Sequence, residues 1–273
     1  MFFMYNTIEV MQMDINSLEF KYTKHDSASS ALVEGLTHIK ILPWLSVVQS
    51  VIGSYDITLG RGEAQRTGAG GFFIAPAGVQ QTIIHHVDRD QGRMHYRWIF
   101  LDVTVNGAYS FDSLYDFPTI LPSEYQSQMN RLFESIFEES NELSRYACYC
   151  EVLELLRRCA TPRSNVQQSV SALTLEYVKA NYTKDISVDA LAQNANMSAS
   201  NFHAVFKKQM GTSPIAYVNG FRLSLASEML VRTDLPIAQI AANVGISDQL
   251  YFGKLFKKAH GVTPSQYRKE RQR

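Results

Sequence analysis

Apolar positions follow two rhythms along this chain, and the rhythm changes near residue 123. Upstream, short runs rich in β-branched and aromatic residues occupy 18–25, 37–41, 45–52, 55–59, 71–75, 81–87 and 94–105. Turns carrying Gly, Asp or Pro separate them, which predicts many short antiparallel strands in a small barrel or jelly roll. Alternation along 94–102 assigns Met94, Tyr96, Trp98 and Phe100 to one face and His95, Arg97, Ile99 and Leu101 to the other. From 123 to 160 the period is helical. Met129, Leu132, Phe133, Ile136 and Phe137 make one stripe; Leu143, Tyr146, Ala147, Cys150, Leu153 and Leu156 make another. The polar, proline-containing stretch 161–168 reads as a linker.

Beyond the linker, one pattern occurs twice. ISVDALAQNANMSASNFHAVFKKQMGTSPIAYV begins at Ile186, and LPIAQIAANVGISDQLYFGKLFKKAHGVTPSQYR begins at Leu235. Met197-Ser198 aligns with Ile246-Ser247 at an offset of 49; Phe202, Phe206, Gly211, Pro214 and Tyr217 align with Phe252, Phe256, Gly261, Pro264 and Tyr267 at 50. One extra residue at the start of the second long helix explains the change. Each copy predicts a short helix, a turn needing left-handed backbone (Asn196 or Gly245), and a second helix with Ser198 or Ser247 as its N-cap. That is a helix-turn-helix.

The second helix of each copy is amphipathic. Phe202, Val205 and Phe206, and likewise Phe252, Leu255 and Phe256, form the stripe to bury. The opposite faces carry Ser200, His203, Ala204 and Lys207 in one copy, and Gln249, Leu250, Gly253, Lys254 and Lys257 in the other. Short polar, small and cationic side chains suit a helix in a major groove, where Gln reads adenine and an apolar group meets a thymine methyl. Lys207, Lys208, Lys257 and Lys258 lie in later turns, suited to phosphates. Alone, a Lys-Lys pair late in a helix is a solvated end that complements the dipole; two copies in register make it a candidate interface. Between the copies, Ser213 and Pro214 open a helix of about 18 residues, a strut of roughly 27 Å.

These residues resemble the AraC/XylS-type DNA-binding domain. The resemblance rests on A-x-x-x-G-I-S at Ala241–Ser247 and on Y-F-x-x-x-F-K-K-x-x-x-G-x-T-P-x-x-Y-R at Tyr251–Arg268. It implies a regulator, more often an activator, that binds double-stranded promoter DNA and contacts RNA polymerase. The expected fold is multidomain α+β. It comprises a cupin-like jelly-roll barrel at 1–122, a helical hairpin at 123–160, and an all-α domain at 169–273 with two helix-turn-helix units joined by a long helix. The resemblance also implies a homodimer formed through the hairpin, with Val152, Leu155 and Leu156 as contacts.

Charge sharpens the division. Residues 1–169 hold 13 Lys+Arg against 19 Asp+Glu, a net of −6, while 170–273 hold 13 against 7, a net of +6. The basic half is the repeated half, as a nucleic-acid module requires. No apolar run is long enough to span a membrane, and the start, MFFMYNTIEVMQMD, lacks the features of an export signal. A cytoplasmic protein is expected. Cys148, Cys150 and Cys159, odd in number within one helix, argue against a disulfide framework.

GGFFIAPAGVQQTIIHH, ending at His86, resembles a stretch of the cupin-like sensor domain. His85 and His86 are adjacent, so only one can face a barrel interior, and no carboxylate stands at ligand spacing; neither a metal nor a cofactor is expected. Tyr96 and Trp98 suit either a barrel core or an aromatic platform for a sugar-like effector. The likeness to sugar-sensing members gives His86, Tyr96 and Trp98 as ligand candidates, with Trp44 and Gln49 behind them. Two rivals remain: a cupin-type sugar isomerase or dioxygenase fused to a DNA-binding domain, and an architectural DNA-bending protein.

Overall fold

Among the residues that the computed structural model describes (14–30, 34–163 and 170–271), strands precede helices. The strands are β1 (Leu18–Ser30), β2 (Thr37–Ile41), β3 (Leu45–Ile52), β4 (Ser54–Leu59), β5 (Gln65–Arg66), β6 (Phe72–Ala75), β7 (Gln80–His86), β8 (Met94–Val105), β9 (Tyr109–Ser110), β10 (Tyr115–Asp116) and β11 (Thr161–Pro162). The helices are α1 (Ser123–Glu138), α2 (Glu142–Cys159), α3 (Val170–Asn181), α4 (Val188–Asn194), α5 (Ala199–Met210), α6 (Pro214–Arg232), α7 (Ile237–Asn243), α8 (Gln249–His260) and α9 (Pro264–Arg271). The stretch read for an export signal and residues 164–168 of the linker lie outside the described residues. None of the described helices is long and apolar enough to cross a membrane.

The chain forms two compact units. One holds most of the strands with α1 and α2; the other holds α3 to α9 with His38–Pro43 and Gly78–Thr82. Strand β8 organises the first. Its sheet runs β1-β8-β3-β6, with β9 also on β8, and a second sheet runs β2-β7-β4-β5. All the registers recorded around β8 are antiparallel. Both faces of β8 are covered. Met94, Tyr96 and Trp98 pack with Val48, Tyr55, Ile57, Phe73 and Ile83 between the sheets. Ile99, Leu101, Val103 and Val105 pack with Phe72 and with Met129, Phe133, Val152, Leu155 and Leu156 of the helical hairpin. The hairpin therefore shares its core with the sheet.

That packing overturns the expected dimer contacts. Val152, Leu155 and Leu156 are at most 1% exposed, and they seal the sheet's outer face. A helix that covers a sheet turns its largest apolar side chains inward, and what α2 turns outward is Leu143, Ala147, Cys150 and Glu154. The start of the expected linker is also tied down: Thr161 and Pro162 pair with Asp116 and Tyr115, and Arg163 Nε donates to Asp116 Oδ1 at 2.8 Å.

In the second unit, α6 is the central element and 19 residues long. Ser213 caps it by accepting from Ala216 N, and Pro214 opens it. Its glycine, a weak spot by propensity, has a packing reason: a Cβ on Gly220 would come within 3.0 Å of Ile41 Cδ1. Gly245 has two reasons. Its φ is +81°, and a Cβ would stand 2.2 Å from Tyr182 O. Asn196, at φ +53°, fills the corresponding turn of the first copy.

The N-caps differ between copies. Ser198 caps α5, accepting from Asn201 N at 3.4 Å. Ser247 does not cap α8; Asp248 does, accepting from Leu250 N at 2.8 Å and from Tyr251 N at 3.0 Å. Asp248 stands at the cap position of Ser198 at an offset of 50, while Met197 and Ile246 make equivalent turn bonds at 49, so the extra residue is Ser247, just before the cap. Asp248→Ala is expected to destabilise the second unit by about 1 kcal/mol, and Ser247→Ala by less than half of that, in urea unfolding. Equal losses would return the cap to Ser247.

Candidate nucleic-acid interface and ligand site

Helices α5 and α8 are held by equivalent aromatic clusters. Phe202, Phe206, Phe252 and Phe256 are fully buried. Phe206 meets Tyr217 edge-on at 5.3 Å and 79°, and Phe256 meets Tyr267 at 5.2 Å and 83°. With that stripe inward, Ser200, His203, Ala204, Lys207 and Lys208 of α5 are exposed, as are Gln249, Leu250, Lys254, Lys257 and Lys258 of α8. The turn before each helix is short and its first turn is capped, so each presents its N-terminal half, the part that meets base edges in such motifs. Left-handed glycines, Gly211 at φ +75° and Gly261 at φ +76°, end the two helices just after their lysine pairs. Tyr251, which the sequence pattern left unassigned, is 47% exposed, and its hydroxyl accepts from Asn219 Nδ2 at 3.4 Å.

In the first unit, the cross-strand registers identify the inner face. Trp98 lies opposite Val48, Tyr96 opposite Ser50, and Phe100 opposite both Ser46 and Lys24. The rings make a ladder. Tyr96 stacks on Trp98 at 5.6 Å, and Trp44 lies between Phe100 at 5.6 Å and Tyr22 at 4.4 Å. Trp44 is thus a packed member of the ladder, 8% exposed. Lys24, 7% exposed, places its ammonium 5.9 Å from the ring centres of both Trp98 and Phe100. The Trp98 indole nitrogen is buried and has no hydrogen-bond partner among the described residues. A buried donor left without an acceptor is costly in a finished core, and it is what a ligand acceptor would satisfy.

Two ligand candidates are overturned. His86 points out of the sandwich and His85 points in, where its ring meets Tyr55 at 4.9 Å and Tyr96 at 6.0 Å. Outside, His86 Nδ1 is 2.7 Å from Glu34 Oε1 and Nε2 is 2.8 Å from Asp56 Oδ2. Gln49 lies opposite Arg97, on the face covered by α1. Its Oε1 accepts from Arg97 Nε at 2.9 Å, and its Nε2 donates to Asn130 Oδ1 at 2.5 Å. The Arg97 guanidinium lies 5.7 Å from the ring of Phe133 and 5.4 Å from that of Phe137. Gln49 is therefore a support beneath the sheet. Among the described residues, no group of three or more His, Cys, Asp and Glu side chains is placed to hold a metal. Burial raises the thiol pKa of all three cysteines, that of Cys159 to about 11.

The His86 cluster has a pH consequence. Its hydrogen bond to Glu34, then that to Asp56, raises the imidazole above its ordinary 6.5, against desolvation. Arg66, then His86, holds Asp56 down to about 2. A raised folded value stabilises fully below the unfolded imidazole's value and is lost as pH rises through the folded one; the Asp56 contribution is lost only on acidification towards 2. Melting temperature should therefore fall as pH climbs upward from about 6.5, and His86→Gln should flatten that slope. An unchanged slope in H86Q would remove the cluster as its cause.

Comparison with known proteins places these features in context. The model of a helix-turn-helix domain family matches residues 191–270. The arabinose operon regulatory protein of Salmonella typhimurium is 28% identical over 270 residues, which is 89% of this chain and 94% of that protein. The lactose operon transcription activator of Staphylococcus xylosus is 35% identical over 94 residues, 34% of each chain. Among solved structures, apo ToxT from Vibrio cholerae superposes with a TM-score of 0.66, covering 91% of this chain and 97% of that one at 11% identity. That last likeness concerns the fold.

Proposed function

We propose that the chain, which is similar to regulators of the AraC/XylS type, is such a regulator, in which α5 and α8 read neighbouring segments of one promoter duplex while a small molecule bound between the sheets sets the response. The carrying observation is the pair of capped, outward-facing recognition helices, each rotated by the same buried phenylalanines. His203, Ala204, Gln249, Leu250 and Lys254 stand where base edges would be met. Lys207, Lys208, Lys257 and Lys258, a turn later, serve the phosphates. A strut of 19 residues, about 28 Å long, suits two readers about one DNA turn apart.

Affinity should fall steeply with salt. Replacing Lys257 and Lys258 together by Ala should reduce the slope of log K against log salt by about 2. Combined His203→Ala and Lys254→Ala should abolish the promoter footprint, and an unaltered footprint would show that the reading faces are misassigned.

The effector site is assigned to Trp98 and Tyr96, joined by His85 and Lys24 on the inner face. An aromatic platform with a donor to offer suits a sugar or a comparable polar ring. The activator role, the contact with RNA polymerase and the cytoplasmic location follow from the same regulator reading. So does homodimer formation, for which the outward row Leu143, Ala147, Cys150 and Glu154 of α2 replaces the buried contacts. Relatives matched along 89% of the chain are operon regulatory proteins, which favours this reading over an enzyme fused to a DNA-binding domain. Titrating arabinose and related sugars should give a saturable change in tryptophan fluorescence that Trp98→Phe removes. Without such a change for any sugar, the carbohydrate reading falls.

A further inference from the structure

Helix α8 is not a copy of α5 on its outward side. At the shared offset of 50, Leu250 stands where α5 has Ser200, Gly253 where it has His203, and Lys254 where it has Ala204. Leu250 is 79% exposed. A lone exposed leucine is ordinary, but this one lies in the first turn of a recognition helix. Its backbone N–H is fixed by the Asp248 cap, with Gln249 beside it and Lys254 one turn on. Gly253 shares that side of the helix. Its φ is not positive, and a Cβ built on it meets nothing within 4 Å. Gly220 and Gly245, by contrast, each have a neighbour that a side chain would strike. Among the described residues, nothing asks for glycine at 253, although glycine inside a helix is less stable than alanine.

The geometry points to an apolar reading mode for the second unit: Leu250 seats against the 5-methyl group of a thymine, and the bare backbone at Gly253 lets α8 come within van der Waals contact of the groove. The class of ligand is a duplex half-site with a T·A pair facing Leu250. The first unit, with Ser200 and His203 at the same positions, reads through hydrogen bonds instead. This inference rests on the DNA-reading assignment of α8, and the experiment separates the two.

The full-length chain selects duplexes from a randomised pool, and the enriched duplex is remade with deoxyuridine replacing thymidine at one position at a time. Only the methyl group is lost. At one thymine in the second half-site, the exchange should weaken wild-type binding about fourfold. Leu250→Ser should bind the unmodified duplex with a similar loss and no longer respond to the exchange. Gly253→Ala should melt about 4 °C higher, yet bind about tenfold more weakly. Indifference of the wild-type chain to every uridine overturns the methyl contact, and undiminished binding by G253A overturns the close approach. If no duplex is enriched, the DNA-reading assignment itself is overturned, and the inference with it.

Discussion

What the C-terminal unit can present to DNA depends on the rotation of each recognition helix about its own axis, and two pairs of phenylalanines set that rotation. Successive residues turn by about 100°, so a slip of one position would carry the lysines towards the core. Phe202 with Phe206, and Phe252 with Phe256, resist the slip because each pair is fully buried and each second ring is held edge-on by a tyrosine from the following helix. Removing such a ring costs roughly 3–5 kcal/mol. That is a large share of what holds any domain folded. The outward chemistry is thus a consequence of inward packing.

The same logic, with period two, governs the first unit. Strand β8 is buried on both faces, and its alternation divides two tasks. One face anchors the helical hairpin through Ile99, Leu101 and Val103. The other carries Tyr96 and Trp98 towards the second sheet. A ligand that touches the inner face touches a strand whose outer face is fixed to α1 and α2, with Arg97 and Gln49 joining strand to helix. The helical hairpin backs the sheet whose inner face is the proposed ligand site, and its largest apolar residues are buried against that sheet.

Much of this organisation was legible from residues alone. Strands β2, β3 and β8 begin and end where the pattern placed them, because turn residues bound each run and its periodicity is clear. The parity of 94–102 was also legible, since Met94, Tyr96, Trp98 and Phe100 differ visibly in kind from His95 and Arg97. Where parity failed, the cause is specific. Strand β7 reads Gln-Gln-Thr-Ile-Ile-His-His, which offers the same residue type to both faces, so nothing local chooses between His85 and His86. In β3 six consecutive residues are buried, so Gln49 carries no mark of its side. Val152, Leu155 and Leu156 were expected at a dimer seam on the strength of the resemblance, and the sheet they cover instead is distant in sequence.

By itself, the sequence determined that a helix-turn-helix unit occurs twice, that each unit turns on a residue able to adopt positive φ, and that basic charge collects there. These follow from spacing, backbone sterics and composition, which are local. Tertiary structure decided which of two equivalent faces is inside and which carboxylate caps α8. Among the described residues, it also left the Trp98 indole nitrogen without an acceptor and Gly253 facing open space. Those outcomes depend on what lies across a sheet or beside a helix, and two like residues side by side are told apart only by the neighbours that fold against them.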